Sequence, residues 1–433
     1  MTETAALGEA TSAAPARALK QPHPAKAIFL ASIGNALEWF DLIVFGFLSA
    51  VISGQFFPPG DPTGQLLLTF VTFGLAFLVR PLGGFVLGAY ADTAGRMKAM
   101  VLTISIMMVG TAIIAFIPTY EKIGVFATIG LVIARLLQGF SAGGEFGSAT
   151  AFLAEQNPKK RGFFASWQVA SQGLTTLLAS AFGAGLATYL TPDQMSGWGW
   201  RIPFIFGLII GPVALYIRRA VPETEEFASI EPTKTPIRDV LGSQKARLLA
   251  AIGVTVLGNI ATYVIAFMPN YAVRELNLPA AGAFTATLVT GVVQLVLSPL
   301  AGTLSDRIGR VPVMAVAGTA MLVLIWPLFA WLVASPTVTT MLCVQAIYGV
   351  MLTGYFANVP ALLCELFPTR TRTTGLSLSY NIAATVFGGF ALALIQWLIL
   401  VTGSKLAPSY YVMFGAVLSL TALVFVRKKF GIR

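Results

Sequence analysis

Apolar stretches of about 20 residues, the length that crosses a hydrocarbon layer, recur along almost the whole chain. Read in order they number twelve, near 27–52, 66–91, 98–118, 124–153, 163–190 and 200–220, then 247–272, 283–304, 311–334, 338–365, 373–401 and 407–427. Lipid offers no water to backbone groups, so each N–H and C=O must bond inside the protein, and spans of this length do so as α-helices. Composition agrees: the 433 residues are 56% hydrophobic and 11% charged, against about 25% charged in soluble domains. Mean hydropathy is +0.79. The predicted fold class is an all-α membrane protein of twelve transmembrane helices.

Lys and Arg set the orientation, because they are retained on the cytoplasmic side. With both termini cytoplasmic, most bases fall inside; Lys122, Arg201, Arg274 and Lys405 lie outside, and Arg80 and Arg135 lie within the membrane. The net charge of +10 is therefore a topology signal and does not point to nucleic acid. The polar stretch 221–246, "VPETEEFASIEPTKTPIRDVLGSQKA", separates six spans from six. The division is a disordered cytoplasmic tail 1–26, a six-helix bundle 27–220, a cytoplasmic linker 221–246, a second bundle 247–428 and a short tail 429–433. The first 26 residues lack an apolar core and do not read as a signal peptide.

Several chemistries lack their residues. The one histidine, His23, lies in the tail, so neither a metal cluster nor an intramembrane histidine relay can be assembled. Cys343 and Cys364 are expected in one helix, roughly 30 Å apart at 1.5 Å per residue, and cannot pair. No G-x-x-x-x-G-K-[ST] loop is present. An enzyme is not expected.

The two halves repeat the same signals in the same order. "GAYADTAGR", with Gly88, Asp92, Gly95 and Arg96, follows span two, and "GTLSDRIGR", with Gly302, Asp306, Gly309 and Arg310, follows span eight. Spans four and ten end in "EQNP" and "ELFP", with Glu155 and Glu365. The fold is thus expected to be two pseudo-symmetric bundles. G-x-x-x-D-x-x-G-R resembles the signature loop of the major facilitator superfamily, and "RLLQGFSAGGEFG" resembles its second motif. "EWFD", "FLVRPLGG", "GWGWRIPF" and "ELFPTRTRTTGLSLSYN" resemble the metabolite:proton symporter family within it, with the citrate and tricarballylate members nearest. The likeness runs from about residue 27 to the end. Thr93 stands where the loop usually carries Arg, and the coiled-coil tail of osmosensing members is not expected, so neither is an osmosensor.

Charge inside a bilayer costs about 2.5–3.5 kcal/mol per residue at a helix centre, so such residues face a protein interior or a wet cavity. Five qualify, Glu38, Asp41, Arg80, Arg135 and Glu145, and all lie in the first half. Glu38 and Asp41 are i and i+3 and can face one cavity. Guanidinium meets a carboxylate through two parallel bonds and stays charged; Arg80 and Arg135 are therefore expected to hold an anionic substrate, with Gln138 beside them. Asp41, Glu38 and Glu145 are the candidates for proton coupling. The alternative is that these charges are structural ion pairs locking the bundle. The second half offers polar groups only, and Tyr263, Gln345, Tyr380 and Asn381 could bond substrate oxygens or simply join helices.

The resemblance implies a proton-driven symporter importing an organic acid by alternating access, most similar to citrate carriers. It implies no cofactor, a small acid and protons as partners besides lipid, a monomer, and the bacterial inner membrane. It also implies a cytoplasmic gate of Gly88, Asp92, Arg96 and Glu155, matched by Asp306, Arg310 and Glu365, with Asp92 near Arg372. Alternatives are a dicarboxylate or monocarboxylate such as 2-oxoglutarate or shikimate, and then a betaine-type zwitterion. A channel is disfavoured, since internal repeats around a midplane site mark alternating access.

Overall fold

The computed structural model describes residues 24–94, 96–143, 145–219 and 236–433. Helices carry the chain: α1 Pro24–Phe47, α2 Ser49–Phe56, α3 Pro62–Ala94, α4 Arg96–Phe116, α5 Val125–Ala142, α6 Glu145–Glu155, α7 Arg161–Tyr189 and α8 Ile202–Arg219 form the first half. The second half holds α9 Lys245–Arg274, α10 Ala280–Ile308, α11 Arg310–Ala334, α12 Val338–Phe356, α13 Val359–Leu366, α14 Arg372–Ala383, a π-helical turn Ala384–Gly389, α15 Ala391–Thr402 and α16 Ala407–Phe430. No strand occurs among the described residues. Nine of their helices are long and apolar enough to cross a membrane, or ten if the bent pair α1–α2 is one span; Val101–Phe116 and Gly199–Ile209 are shorter apolar helices. The proposed tail 1–26 lies almost wholly outside the described residues, as does most of the linker. The linker's end is helical, over Pro236–Ser243.

Expected single spans are broken in several places, each with a local cause. Span one turns by 78° between α1 and α2. Asn270 of α9 occupies the bend: its Nδ2 donates to Gly46 O at 2.8 Å, and its Oδ1 accepts from Ala50 N at 3.1 Å. Irregular backbone at membrane depth persists where protein groups satisfy it in this way. Span ten, Val338–Leu366, is interrupted by a turn between α12 and α13, where Pro360 in the first turn of the new helix has no N–H to continue the old one. Cys343 and Cys364 therefore lie in two helices instead of one; both are free thiols.

Pro81 works similarly inside α3. A proline leaves the carbonyl four residues earlier without its helical donor, here that of Phe77. Thr385 Oγ1, from the π-helical turn, donates to it at 2.8 Å, so a gap in one half's backbone becomes a bond to the other half.

Two of the seams where the halves meet are built on close approach. In one, α7 lies along α10 so closely that a Cβ on Gly302 would stand 2.3 Å from Gly162 O, and one on Gly162 would stand 2.4 Å from Gly302 O. Without a driving hydrophobic effect in lipid, small residues let helices associate by backbone approach. In the other seam, α6 packs on α14 through Phe146 and Tyr380, whose rings stack with centroids 3.5 Å apart. Asn381 Nδ2 donates to Gly143 O at 2.7 Å in the same seam.

Candidate functional site: a buried charge cluster in the first half

The intramembrane charges of α1, α3 and α5 come together. Asp41 is 5% exposed, Arg80 4% and Arg135 0%. Glu38 lies one turn before Asp41 on α1, and Glu145 begins α6; the side chains of both lie outside the described residues.

Each arginine is held by aromatic faces. The Arg80 guanidinium carbon sits 4.2 Å from the Phe77 ring centroid and 5.5 Å from that of Trp39. That of Arg135 sits 4.3 Å from Phe45 and 5.2 Å from Phe73. A desolvated cation–π contact is worth about 2 kcal/mol or more. It covers the plane of the guanidinium and leaves the N–H edge to bond. Part of that edge is unused among the described residues: Arg80 Nε, Arg135 Nε and Arg135 Nη2 are buried and have no hydrogen-bond acceptor there.

Asp41 and Arg135 do not form a direct ion pair. A hydrogen-bonded chain joins them. Arg135 Nη1 donates to Gln138 Oε1 at 2.8 Å, Gln138 Nε2 donates to Thr111 Oγ1 at 3.0 Å, and Thr111 Oγ1 donates to Asp41 Oδ2. The other carboxylate oxygen, Oδ1, is buried without a donor. Thr111, in the apolar run "ISIMMVGTAIIAF" of α4, is the member sequence reasoning missed. An isolated threonine in a hydrophobic span is ordinary, and its partner is distant in sequence.

The second half contributes Tyr263 of α9, fully buried. Its ring stands 5.2 Å from Phe77, 5.9 Å from Phe73 and 6.4 Å from Trp39, and its hydroxyl has no hydrogen-bond partner. The other expected substrate ligands of this half are differently placed. Gln345 is engaged by α10, donating to Thr287 Oγ1 at 3.2 Å and accepting from Thr290 Oγ1 at 2.8 Å. Asn381 and Tyr380 belong to the α6–α14 seam. On α7, Gln168 bonds Asn35 of α1 at 2.9 Å, whereas both amide atoms of buried Gln172 lack partners.

At the end of the molecule where the repeated motifs lie, Arg310 bridges Asp306 at 2.7 Å and Glu365 at 3.2 Å. Asp306 also accepts the backbone N–H groups of Gly162 and Phe163 at 2.8 and 2.9 Å. A carboxylate at the start of α7 matches the exposed donors and positive dipole end of a helix N-terminus. Arg372 pairs with Glu155 at 2.9 Å. Its expected neighbour Asp92, like Arg96, has a side chain outside the described residues; Gly88 lies within α3.

Buried fixed charges in one helical half, faced by Tyr263 of the other, with an ion pair joining the two halves at the motif end, suit a secondary transporter of small solutes. The comparisons narrow the class. The profile described as "Sugar (and other) transporter" matches residues 27–235, and that of the Major Facilitator Superfamily matches residues 250–431. A citrate-proton symporter of Klebsiella pneumoniae is 38% identical over 97% of this chain and 96% of its own. The proline/betaine transporter of Escherichia coli K12 is 33% identical, over 91% and 82%. The crystal structure of a D-xylose-proton symporter aligns with a TM-score of 0.73 at 17% identity, covering 94% of this chain and 98% of that one, a likeness of fold. The chain belongs to the major facilitator superfamily, in its metabolite:proton symporter family. It is a multi-pass transporter of the bacterial inner membrane, not an enzyme.

Proposed function

We propose that the protein imports a carboxylate-rich organic acid, citrate or a related tricarboxylate, together with protons. The observation that carries this reading is the pair of buried guanidiniums with unused N–H donors, where leaving a buried charge unpaired costs about 3–5 kcal/mol. Arg80 and Arg135 bind substrate carboxylates, and the Tyr263 hydroxyl donates from the opposite half. Asp41 carries the coupling proton, with Glu38 and Glu145 as further coupling acids. Val101–Phe116 and Gly199–Ile209 are spans three and six, giving twelve helices in two bundles with both termini cytoplasmic. Asp306, Arg310 and Glu365, with Arg372 and Glu155, latch the cytoplasmic side, and Gly88, Asp92 and Arg96 complete that gate.

Charge arithmetic explains why a proton is needed. With Glu38, Asp41, Arg80 and Arg135 ionised the cluster is neutral; protonating one acid leaves +1 and frees a guanidinium for an anion, so proton and substrate favour each other. A trianion entering a negative interior works against about 7 kcal/mol at 100 mV, from about 2.3 kcal/mol per charge. Three co-transported protons cancel that term.

Relatives that carry proline and betaine, and the rings of Trp39, Phe73, Phe77 and Tyr263, favour a second reading, a quaternary-ammonium zwitterion. An aromatic cage suits such a cation, but here the rings already flank arginines, which favours the polyanion. Uptake of labelled citrate into proteoliposomes under an acid-outside gradient, competed by a panel of organic acids and by betaine, tests the choice. Concentrative uptake competed by tricarboxylates supports the first reading; competition by betaine alone overturns it.

A further inference from the structure

Thr111 has a hydrogen-bonding position that the charge arithmetic does not use. Its Oγ1 donates to Asp41 Oδ2, yet Met107 O, one turn back on α4, is also within reach at 3.1 Å. The same oxygen accepts from Gln138 Nε2 at 3.0 Å. A hydroxyl has one proton and two lone pairs, so it serves one of those two acceptors at a time. An ionised carboxylate is the stronger acceptor and takes that proton. Once Asp41 is protonated on Oδ2, the acid becomes the donor. The hydroxyl then turns to Met107 O and accepts from Asp41 and Gln138 together. Every polar atom of the hydroxyl is satisfied in both settings.

The two settings differ in what Arg135 feels. With Asp41 ionised, Arg135, Gln138 and Thr111 all donate in one direction, and the run ends on a negative charge. Such aligned chains strengthen one another at low dielectric. With Asp41 neutral, the alignment breaks at Thr111, and the guanidinium is no longer tied to a counter-charge. On the α8 side, Asp41 Oδ1 occupies the space that a Cβ on Gly207 would need, 2.4 Å away.

We infer that Thr111 is a positioning residue, a hydroxyl rotor through which the protonation of Asp41 is transmitted by way of Gln138 to Arg135 and sets its readiness for an anion. The inference rests on the proposed roles of Asp41 and Arg135. The charged and titratable groups around Asp41 are Arg135 from α5, Arg80 from α3 beyond it, Tyr263 from α9 beside both arginines, and Glu38 on α1 itself. The stretches of α4 and α8 that face Asp41 present Thr111 and Gly207 and carry no ionisable residue, over 101–116 and 202–209. Thr111 is thus a polar link, in direct contact with Asp41, that a substitution can cut without changing the charge of the cluster.

The test is the pH dependence of labelled-citrate binding to the purified full chain, for wild type, Thr111→Val, Thr111→Ser and Asp41→Asn. Citrate's own titration is common to all four and cancels in the ratio of variant to wild type. If coupling has the usual strength, wild-type affinity shifts about 5- to 150-fold between the two protonation states. Thr111→Val is expected to flatten that shift to within about twofold, and Thr111→Ser, which keeps the hydroxyl, to restore it. A wild-type pH profile in Thr111→Val overturns the inference. So does a flat profile in Thr111→Ser when that variant elutes as a single folded species, which also covers failure of the valine variant to fold. Should Asp41→Asn keep the wild-type profile, the proton assignment falls, and the rotor with it. A flattened Asp41→Asn beside an unchanged Thr111→Val removes the rotor alone.

Discussion

The middles of the two halves are built from different materials. In the first, α1, α3 and α5 bury Asp41, Arg80 and Arg135, and several of their polar atoms have no partner among the described residues. In the second, the comparable polar side chains are largely tied to helices. Gln345 bonds α10 and the Tyr348 hydroxyl donates to Ala261 O at 2.8 Å; Asn358 Nδ2 donates to Gly354 O at 2.9 Å, although its Oδ1, like Gln294 Nε2, has no partner among the described residues. A repeat that keeps its gate motif in both copies has thus concentrated ionic chemistry in one. Polar groups in lipid that find a helix partner contribute modestly, about 0.6 kcal/mol each. Buried charges left partly open are costly unless something completes them. The difference separates residues tied into the bundle from residues whose bonding capacity is left open, which the proposed function assigns to a ligand.

The comparison can be broken at its strongest point. Arg135→Lys and Arg80→Lys keep the charge but lose the planar fork; each is expected to lower citrate uptake about 30-fold or more, the equivalent of about 2 kcal/mol. If a lysine works as well, the first half is not reading carboxylate geometry. Asp41→Asn is expected to abolish accumulation under an acid-outside gradient. Accumulation ratios in proteoliposomes check this, and a normal ratio would make Asp41 structural. Arg310→Met removes the ion pairs to both Asp306 and Glu365; uptake should fall about tenfold, roughly the 1.4 kcal/mol of one charge-assisted bond, with citrate affinity little changed in equilibrium binding. Asn270→Ala loses two bonds at the α1–α2 bend, and a loss of about 1–3 kcal/mol should lower the thermal transition of the purified chain. The smallest effect belongs to the second half: Gln345→Leu should leave uptake within about threefold, as expected for about 0.6 kcal/mol. A large loss there would show that the division of labour is drawn too sharply.

Much of this was open to sequence reading because lipid simplifies the problem. Long apolar runs can only be helices, and the membrane charges announce themselves by their cost. Asp41, Arg80 and Arg135 were therefore found, and Gln138 with them. What escaped depends on rotation about helix axes and on long-range pairing. Nothing near Asn270 in "AFMPNYAV" tells that its amide caps a bend in α1. The pairing of Arg372 with Glu155 instead depends on how two bundles face each other, which the residues of one loop do not encode. Pro360 carries a signal for the break before α13, and Pro81 one for a freed carbonyl, but both signals are faint beside the apolar length of their spans.

The seam between α7 and α10 constrains how the molecule can move. Where Gly162 faces Gly302, each peptide oxygen occupies the space that the other chain's β-carbon would need, so two main chains bear on one another like an axle in its sleeve. Rocking about such a line leaves the spacing unchanged, whereas parting along it forfeits the whole contact. A methyl group added there acts as grit in the bearing: it should slow the turnover cycle while citrate affinity at equilibrium stays near the original, a contrast that kinetic and binding measurements on Gly302→Ala would separate.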